Sequence, residues 1–87
     1  MAYYVYFLKS IKTNKYYVGV SNDVKRRLKE HNNGLSKFTA PYKPYELKRV
    51  EKFVKIEDAY KREIFIKKKK SKKIIELIIK SGPDVLA

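Results

Sequence analysis

Tyr3-Tyr-Val-Tyr-Phe-Leu8 and, after a polar break, Tyr16-Tyr-Val-Gly-Val20 decide how this 87-residue chain is to be read. Both stretches are aromatic and β-branched, the composition of strands. Alternation puts Tyr4, Tyr6 and Leu8 on one face of the first strand and Tyr3, Val5 and Phe7 on the other. Ser10–Asn14 is polar and contains Thr13-Asn14, so the chain turns there and the two strands form a hairpin. Gly19 interrupts the second strand, and glycine in a strand marks a bulge or the close approach of a backbone or ligand.

Outward from the hairpin, Ser21-Asn22-Asp23 offers N-cap side chains for a helix over Val24–Asn32, which Asn33-Gly34 ends. Residues 35–44 form a loop held by two prolines. A third strand is expected over Tyr45–Phe53, with Tyr45, Leu47, Arg49, Glu51 and Phe53 on one side and Glu46, Lys48, Val50 and Lys52 on the other. Ile56–Lys68 reads as a helix with Glu57 and Asp58 in its first turn and lysines at its end, matching the macrodipole. Ser71 can cap a last helix, Lys72–Lys80, stopped by Gly82-Pro83. The expected fold class is α+β: one domain over residues 1–87, with a small three-stranded antiparallel sheet flanked by helices in the order β-β-α-β-α-α.

Composition narrows the function. Twenty-two Lys and Arg against nine Asp and Glu give a net charge of +13, so nucleic acid is the default partner. The excess is spread along the chain and densest over Lys61–Lys73, which holds eight basic residues and one acid. With no Cys and one His there is no disulfide framework, thiolate metal site or histidine cage. No apolar run approaches a membrane span, no secretory leader is recognisable, and a cytoplasmic setting is expected.

Two helices carry polar groups where core is due. In Val24–Asn32, Arg27 and His31 share the i, i+3, i+4, i+7 face of Val24 and Leu28. In Ile56–Lys68 the stripe Ile56, Ala59, Tyr60, Glu63, Ile64 places Glu63 near the middle of the apolar arc. An inward carboxylate is costly unless it is paired or metal-bound. A structural ion pair between Glu63 and Arg27 is one explanation, with the stem of Arg27 covering apolar surface, His31 a boundary histidine and Tyr6 and Tyr17 ordinary sheet residues. The other is convergence at one sheet face. A carboxylate for a divalent cation, an arginine for phosphate charge and a phenol or imidazole for proton transfer make a set that cleaves phosphodiesters.

The sequence resembles the GIY-YIG nuclease family, above all its small stand-alone members, which are similar to the catalytic domain of the excision-repair nuclease. The first motif stands as Tyr4-Val5-Tyr6 and the second as Tyr17-Val18-Gly19. The cap, helix and arginine of the family match Asn22-Asp23 through Gly34, with Arg27 ten positions after Tyr17. Ala59-Tyr-Lys-Arg-Glu63 resembles the segment that supplies the metal-binding glutamate, and the likeness spans roughly residues 3–80.

The resemblance implies a GIY-YIG-like fold and a metal-dependent endonuclease hydrolysing DNA, structure-directed in repair or recombination. Glu63 would be the sole protein ligand of Mg2+ or Mn2+, and Arg27 would hold phosphate oxygens. Tyr6 or Tyr17 would activate or orient the attacking water, with His31 assisting. Gly19 would leave room beside Tyr17 for the substrate backbone, and Lys43 would help position it. The chain departs from the family at Val20, where some members have Lys. It departs again in the loop Thr39-Ala-Pro-Tyr-Lys-Pro44, which lacks two arginines that stand-alone relatives carry. A monomer is expected, with DNA as partner, no membrane or small-molecule ligand, and room for a targeting protein. The alternative class is a non-catalytic nucleic-acid-binding module or a basic ribonucleoprotein component.

Overall fold

The structure, a computed structural model, describes residues 2–81. Three strands, β1 (Tyr3–Ser10), β2 (Tyr16–Ser21) and β3 (Tyr45–Phe53), form an antiparallel sheet in the order β2-β1-β3. The helices are α1 (Val24–Asn32), α2 (Ile56–Lys69) and α3 (Lys72–Lys80), and a single 3-10 turn covers Ala40–Tyr42. The α+β class and element order therefore match the sequence reading. The proposed stop at Gly82-Pro83 lies outside the described residues.

Caps explain the helix bounds. Asp23 accepts from the Arg26 N–H at 3.0 Å to open α1, and Ser71 accepts from the Ile74 N–H at 3.2 Å to open α3. α2 ends at Lys70, which adopts the left-handed region (φ 48) usually taken by glycine. No helix among the described residues is long and apolar enough to cross a membrane.

β1 is central and covered on both faces, which is why its two alternating sets are both apolar. Val5 and Phe7, with Val18 of β2, pack against Ala59 and Ile66 of α2, and Ile75, Ile78 and Ile79 of α3 close that side. Tyr6 and Leu8, with Val50 of β3, pack against Val24 of α1 and against Tyr45. The two clusters lie on opposite faces of the sheet, with β1 contributing to both.

β3 corrects the expected alternation. A bulge between Phe7 and Leu8 shifts the register, so that Phe7 faces Arg49 whereas Leu8 faces Leu47. One extra residue on β3 flips everything beyond it. Tyr45 therefore joins Val50 on the α1 side, while Glu51 lies on the α2 side opposite Val5. The apolar stripe of α2 is corrected too: Tyr60 and Ile64 are about half exposed, and the buried positions are Ala59 and Ile66. Glu63 falls between those two, four residues from one and three from the other, so its inward placement stands.

Candidate active site

The two strand motifs bring their tyrosines to the α1 side of the sheet. Tyr6 pairs in register with Gly19, and Leu8 with Tyr17. The ring of Tyr6 lies across Gly19: a Cβ there would stand 2.5 Å from the phenol oxygen and 2.6 Å from the carbon that bears it. Gly19 is thus needed to admit Tyr6, and the space expected for substrate backbone is filled by that side chain.

α1 then lays His31 over both rings. Its centroid is 4.8 Å from that of Tyr17 and 5.9 Å from that of Tyr6, and the two tyrosines are 6.2 Å apart. His31 is fully buried and bonded at both nitrogens, Nε2 to the Tyr6 hydroxyl at 3.0 Å and Nδ1 to Thr39 Oγ1 at 2.7 Å. Thr39 Oγ1 also points to the Ser36 carbonyl, which only accepts, at 3.5 Å. With the threonine proton there, Nδ1–H donates to Thr39 and Nε2 accepts from Tyr6. The imidazole is therefore the acceptor for the Tyr6 proton.

The electrostatics agree. Burial raises the Tyr6 phenol above its ordinary value, and the adjacent Arg27 guanidinium offsets part of that rise. Burial also depresses His31, and the charge of Arg27 adds to the effect while Glu30 opposes it. Both groups are neutral at neutral pH. Arg27 loses hydration by partial burial, yet its bonds to Tyr6 and Glu30 outweigh that loss and hold it firmly charged. Glu30, one turn on, accepts from Arg27 Nη1 and fixes the fork.

Glu63 approaches from the other side of the sheet, along α2. Its side chain is 16% exposed, and Oε2 accepts from Lys67 Nζ at 3.1 Å. The same ammonium lies 5.6 Å from the centroid of the Tyr17 ring at edge strand β2. Lys67 thus connects the carboxylate to the phenol cluster. The ion pair between Glu63 and Arg27 that the sequence suggested does not form: Arg27 pairs with Glu30 and Glu63 with Lys67, and a more buried ion pair is found at Glu51. Glu51, 8% exposed, accepts from Arg62 at 2.9 and 3.1 Å and from Arg49 at 3.0 Å.

Glu63 is also the residue that could hold a divalent cation. Among the described residues no three His, Cys, Asp or Glu side chains gather into a metal cluster. A single carboxylate suits a hard cation that keeps most of its water, such as Mg2+, rather than one that needs a protein cage.

Lys43 stands apart. It is exposed, and its ammonium lies over the turn at Gly34 that ends α1, 3.3 Å from where a Cβ would sit. Sequence reasoning also missed several supporting groups. Thr39 is buried and anchors His31; its carbonyl accepts from the Tyr45 hydroxyl at 3.2 Å. Asn32 brackets the backbone of Tyr45, accepting from its N–H at 2.7 Å and donating to its carbonyl at 3.3 Å. Glu30 was legible as the i+3 partner of Arg27. Thr39 gave no such signal, because the path of a proline-bounded loop is not periodic.

Comparison with known proteins shows the family. The family model described as the GIY-YIG catalytic domain matches residues 2–75. The chain is 38% identical over 76 residues to the UPF0213 protein CPE1444 of Clostridium perfringens, covering 86% of this chain and 81% of the relative. It is 35% identical over 69 residues to the UPF0213 protein YazA of Bacillus subtilis, covering 78% and 70%. The solution NMR structure of the UPF0213 protein BH0048 from Bacillus halodurans superposes with a TM-score of 0.59 at 31% identity, covering 94% of this chain and 86% of that one. Motif tyrosines, helix arginine and histidine, and the α2 glutamate all lie within the matched span, and the chain belongs to the GIY-YIG catalytic-domain family, a family of the nuclease type.

Proposed function

We propose that the chain is a metal-dependent endonuclease that hydrolyses DNA phosphodiester bonds, choosing substrates by structure as repair and recombination require. The observation that carries this reading is the gathering of two phenols, an imidazole and a guanidinium around Tyr6, which itself lies across Gly19, with Lys67 linking Tyr17 to Glu63. On this reading Arg27, already oriented by Glu30, takes the non-bridging oxygens of the scissile phosphate through its forked donors. Tyr17 is the more exposed phenol and meets the attacking water. A proton accepted at the Tyr17 oxygen is matched by transfer of its own proton toward Tyr6, and of the Tyr6 proton to Nε2 of His31. The charge of Arg27 discourages a lasting imidazolium, so the proton passes back along the same relay and is delivered through solvent to the leaving 3′ oxygen, which departs as the alcohol. Thr39 holds the imidazole in the accepting tautomer throughout. A divalent cation held by Glu63, Mg2+ or Mn2+, would polarise the phosphate and stabilise the leaving 3′ oxygen.

The chain would act as a monomer making one nick per encounter, with targeting left to a protein partner. The test is cleavage of end-labelled single-stranded, duplex and branched DNA, with structured RNA alongside, in Mg2+, Mn2+ or chelator. Metal-dependent products that vanish in Glu63→Ala are expected. Equal cutting by parent and Glu63→Ala would remove the mechanism.

The Glu63–Lys67 pair favours a second reading, a binding module in which the ammonium stands permanently where a cation would bind. That protein would bind nucleic acid with steep salt dependence and no response to metal.

A further inference from the structure

Beside the candidate site a groove of about 420 Å³ runs between the start of β2 and the junction of α2 with α3. Tyr17, Ile66 and Ile75 line it together with Lys67, Lys70 and Lys72, and no carboxylate lines it among the described residues. It touches the candidate site at two points, since Tyr17 belongs to the ring cluster and Lys67 holds Glu63. Apolar and aromatic surface under a rim of ammonium groups suits a base with its phosphates. Lys70 adds an independent observation: it occupies a left-handed backbone position that glycine takes at no steric cost. The fold carries a long cation there, in the lining of the groove.

We propose that this groove binds one unpaired nucleotide next to the scissile phosphate, so that the substrate is DNA with a single-stranded segment at the cut. A paired base is stacked in its duplex and cannot enter; an unpaired base can lie on the apolar floor while its phosphates meet the lysines. The inference rests on the endonuclease reading for its place beside a cut, but its test requires no cutting.

The full chain is titrated in chelator with a short oligothymidylate carrying one 2-aminopurine, and separately with a duplex of equal length carrying the same base paired. Tighter binding of the single strand, with quenching of the 2-aminopurine as it stacks, is expected. Lys70→Gly should weaken single-strand binding about fivefold at about 0.1 M salt and lower the salt slope by about 0.7, the share of one phosphate contact. Its melting temperature should be unchanged or higher, because glycine suits the backbone there. Equal affinity for both DNAs without quenching, or Lys70→Gly binding like the parent, would overturn the proposal. Selective binding without metal-dependent cleavage would leave the groove and remove the nuclease. Cleavage without selective binding would do the reverse.

Discussion

Arg62 reaches from α2 to Glu51 on β3 and grips both carboxylate oxygens, Nε to Oε1 at 2.9 Å and Nη2 to Oε2 at 3.1 Å. Arg49 adds a third bond from the same strand at 3.0 Å, and its side chain is only 12% exposed. This triad fastens α2 to the sheet and thereby fixes where the neighbouring Glu63 stands.

The two glutamates should therefore separate stability from function. Glu51→Ala leaves two arginines without their buried partner and should cost about 3–5 kcal/mol in urea denaturation. Glu63→Ala loses one partly exposed pair with Lys67 and should cost about 1 kcal/mol or less, while abolishing any metal-dependent cutting. Equal destabilisation by both would place Glu63 among the structural residues.

Acid should expose the same triad. Burial works to raise the Glu51 carboxyl, but the bonds from Arg62 and Arg49 outweigh it and hold the group below its ordinary 4.5. A carboxylate depressed on folding contributes stability that is present above its unfolded value and lost as pH falls through the folded one. Urea midpoints should thus drop below about pH 4.5 in the parent, and less steeply in Glu51→Gln.

His31 acts over a higher range. Its imidazole is held below 6.5, first by burial and then by Arg27. Between the folded and unfolded values the unfolded chain binds more protons, so stability is full above about pH 6.5 and falls as pH drops below it. The slope of stability with pH over that interval should flatten in His31→Gln. An unchanged slope would mean that His31 does not titrate there.

Gly19→Ala should destabilise by about 1–3 kcal/mol, because the added methyl meets the Tyr6 phenol and Tyr6 is fully buried. Thermal melts should show a loss of roughly 4–8 °C per kcal/mol in a domain of this size. Combining it with Tyr6→Phe should cost less than the sum of the two changes, since Phe removes the atom nearest the methyl. Strict additivity would place the strain elsewhere.

Arg27→Lys keeps the charge and loses the fork, and cleavage should fall about 100-fold, comparable to removing one transition-state donor. Circular dichroism should be unchanged, because Arg27 is only partly buried. Activity near the parent level would reduce Arg27 to a helix-surface residue paired with Glu30.

Strong periodic signals made most elements legible. Val24–Asn32, Tyr45–Phe53 and Lys72–Lys80 have the expected bounds, because caps and composition change sharply at their ends. Of the polar residues that broke the helical pattern, Arg27 and His31 both lie against Tyr6, and Glu63 is turned inward beside Lys67. Their partners were not legible. The bulge in β3 depends on how Phe7 and Leu8 meet another strand, so neither the inward turn of Glu51 nor the side taken by Tyr45 shows in β3 alone. Arg27 chose the local Glu30 over the distant Glu63, and Thr39 reached His31 through a loop that no period describes.

The strand order has a consequence for assembly. β1 and β2 are joined by a short turn and can pair early, which brings Tyr6 and Tyr17 together from the first hairpin. β3 closes the other edge from far along the chain, and Tyr45 arrives with it, bracketed by Asn32 and bonded to the carbonyl of the threonine that anchors His31. The imidazole itself is held by Tyr6 and Thr39, and the support of Thr39 is complete only when the last strand has docked. Most of the positive charge is present before β3 and α2 have docked, whereas the support of the phenol–imidazole pair is complete only once the sheet closes, so on the proposed reading folding itself acts as the safety catch on this site.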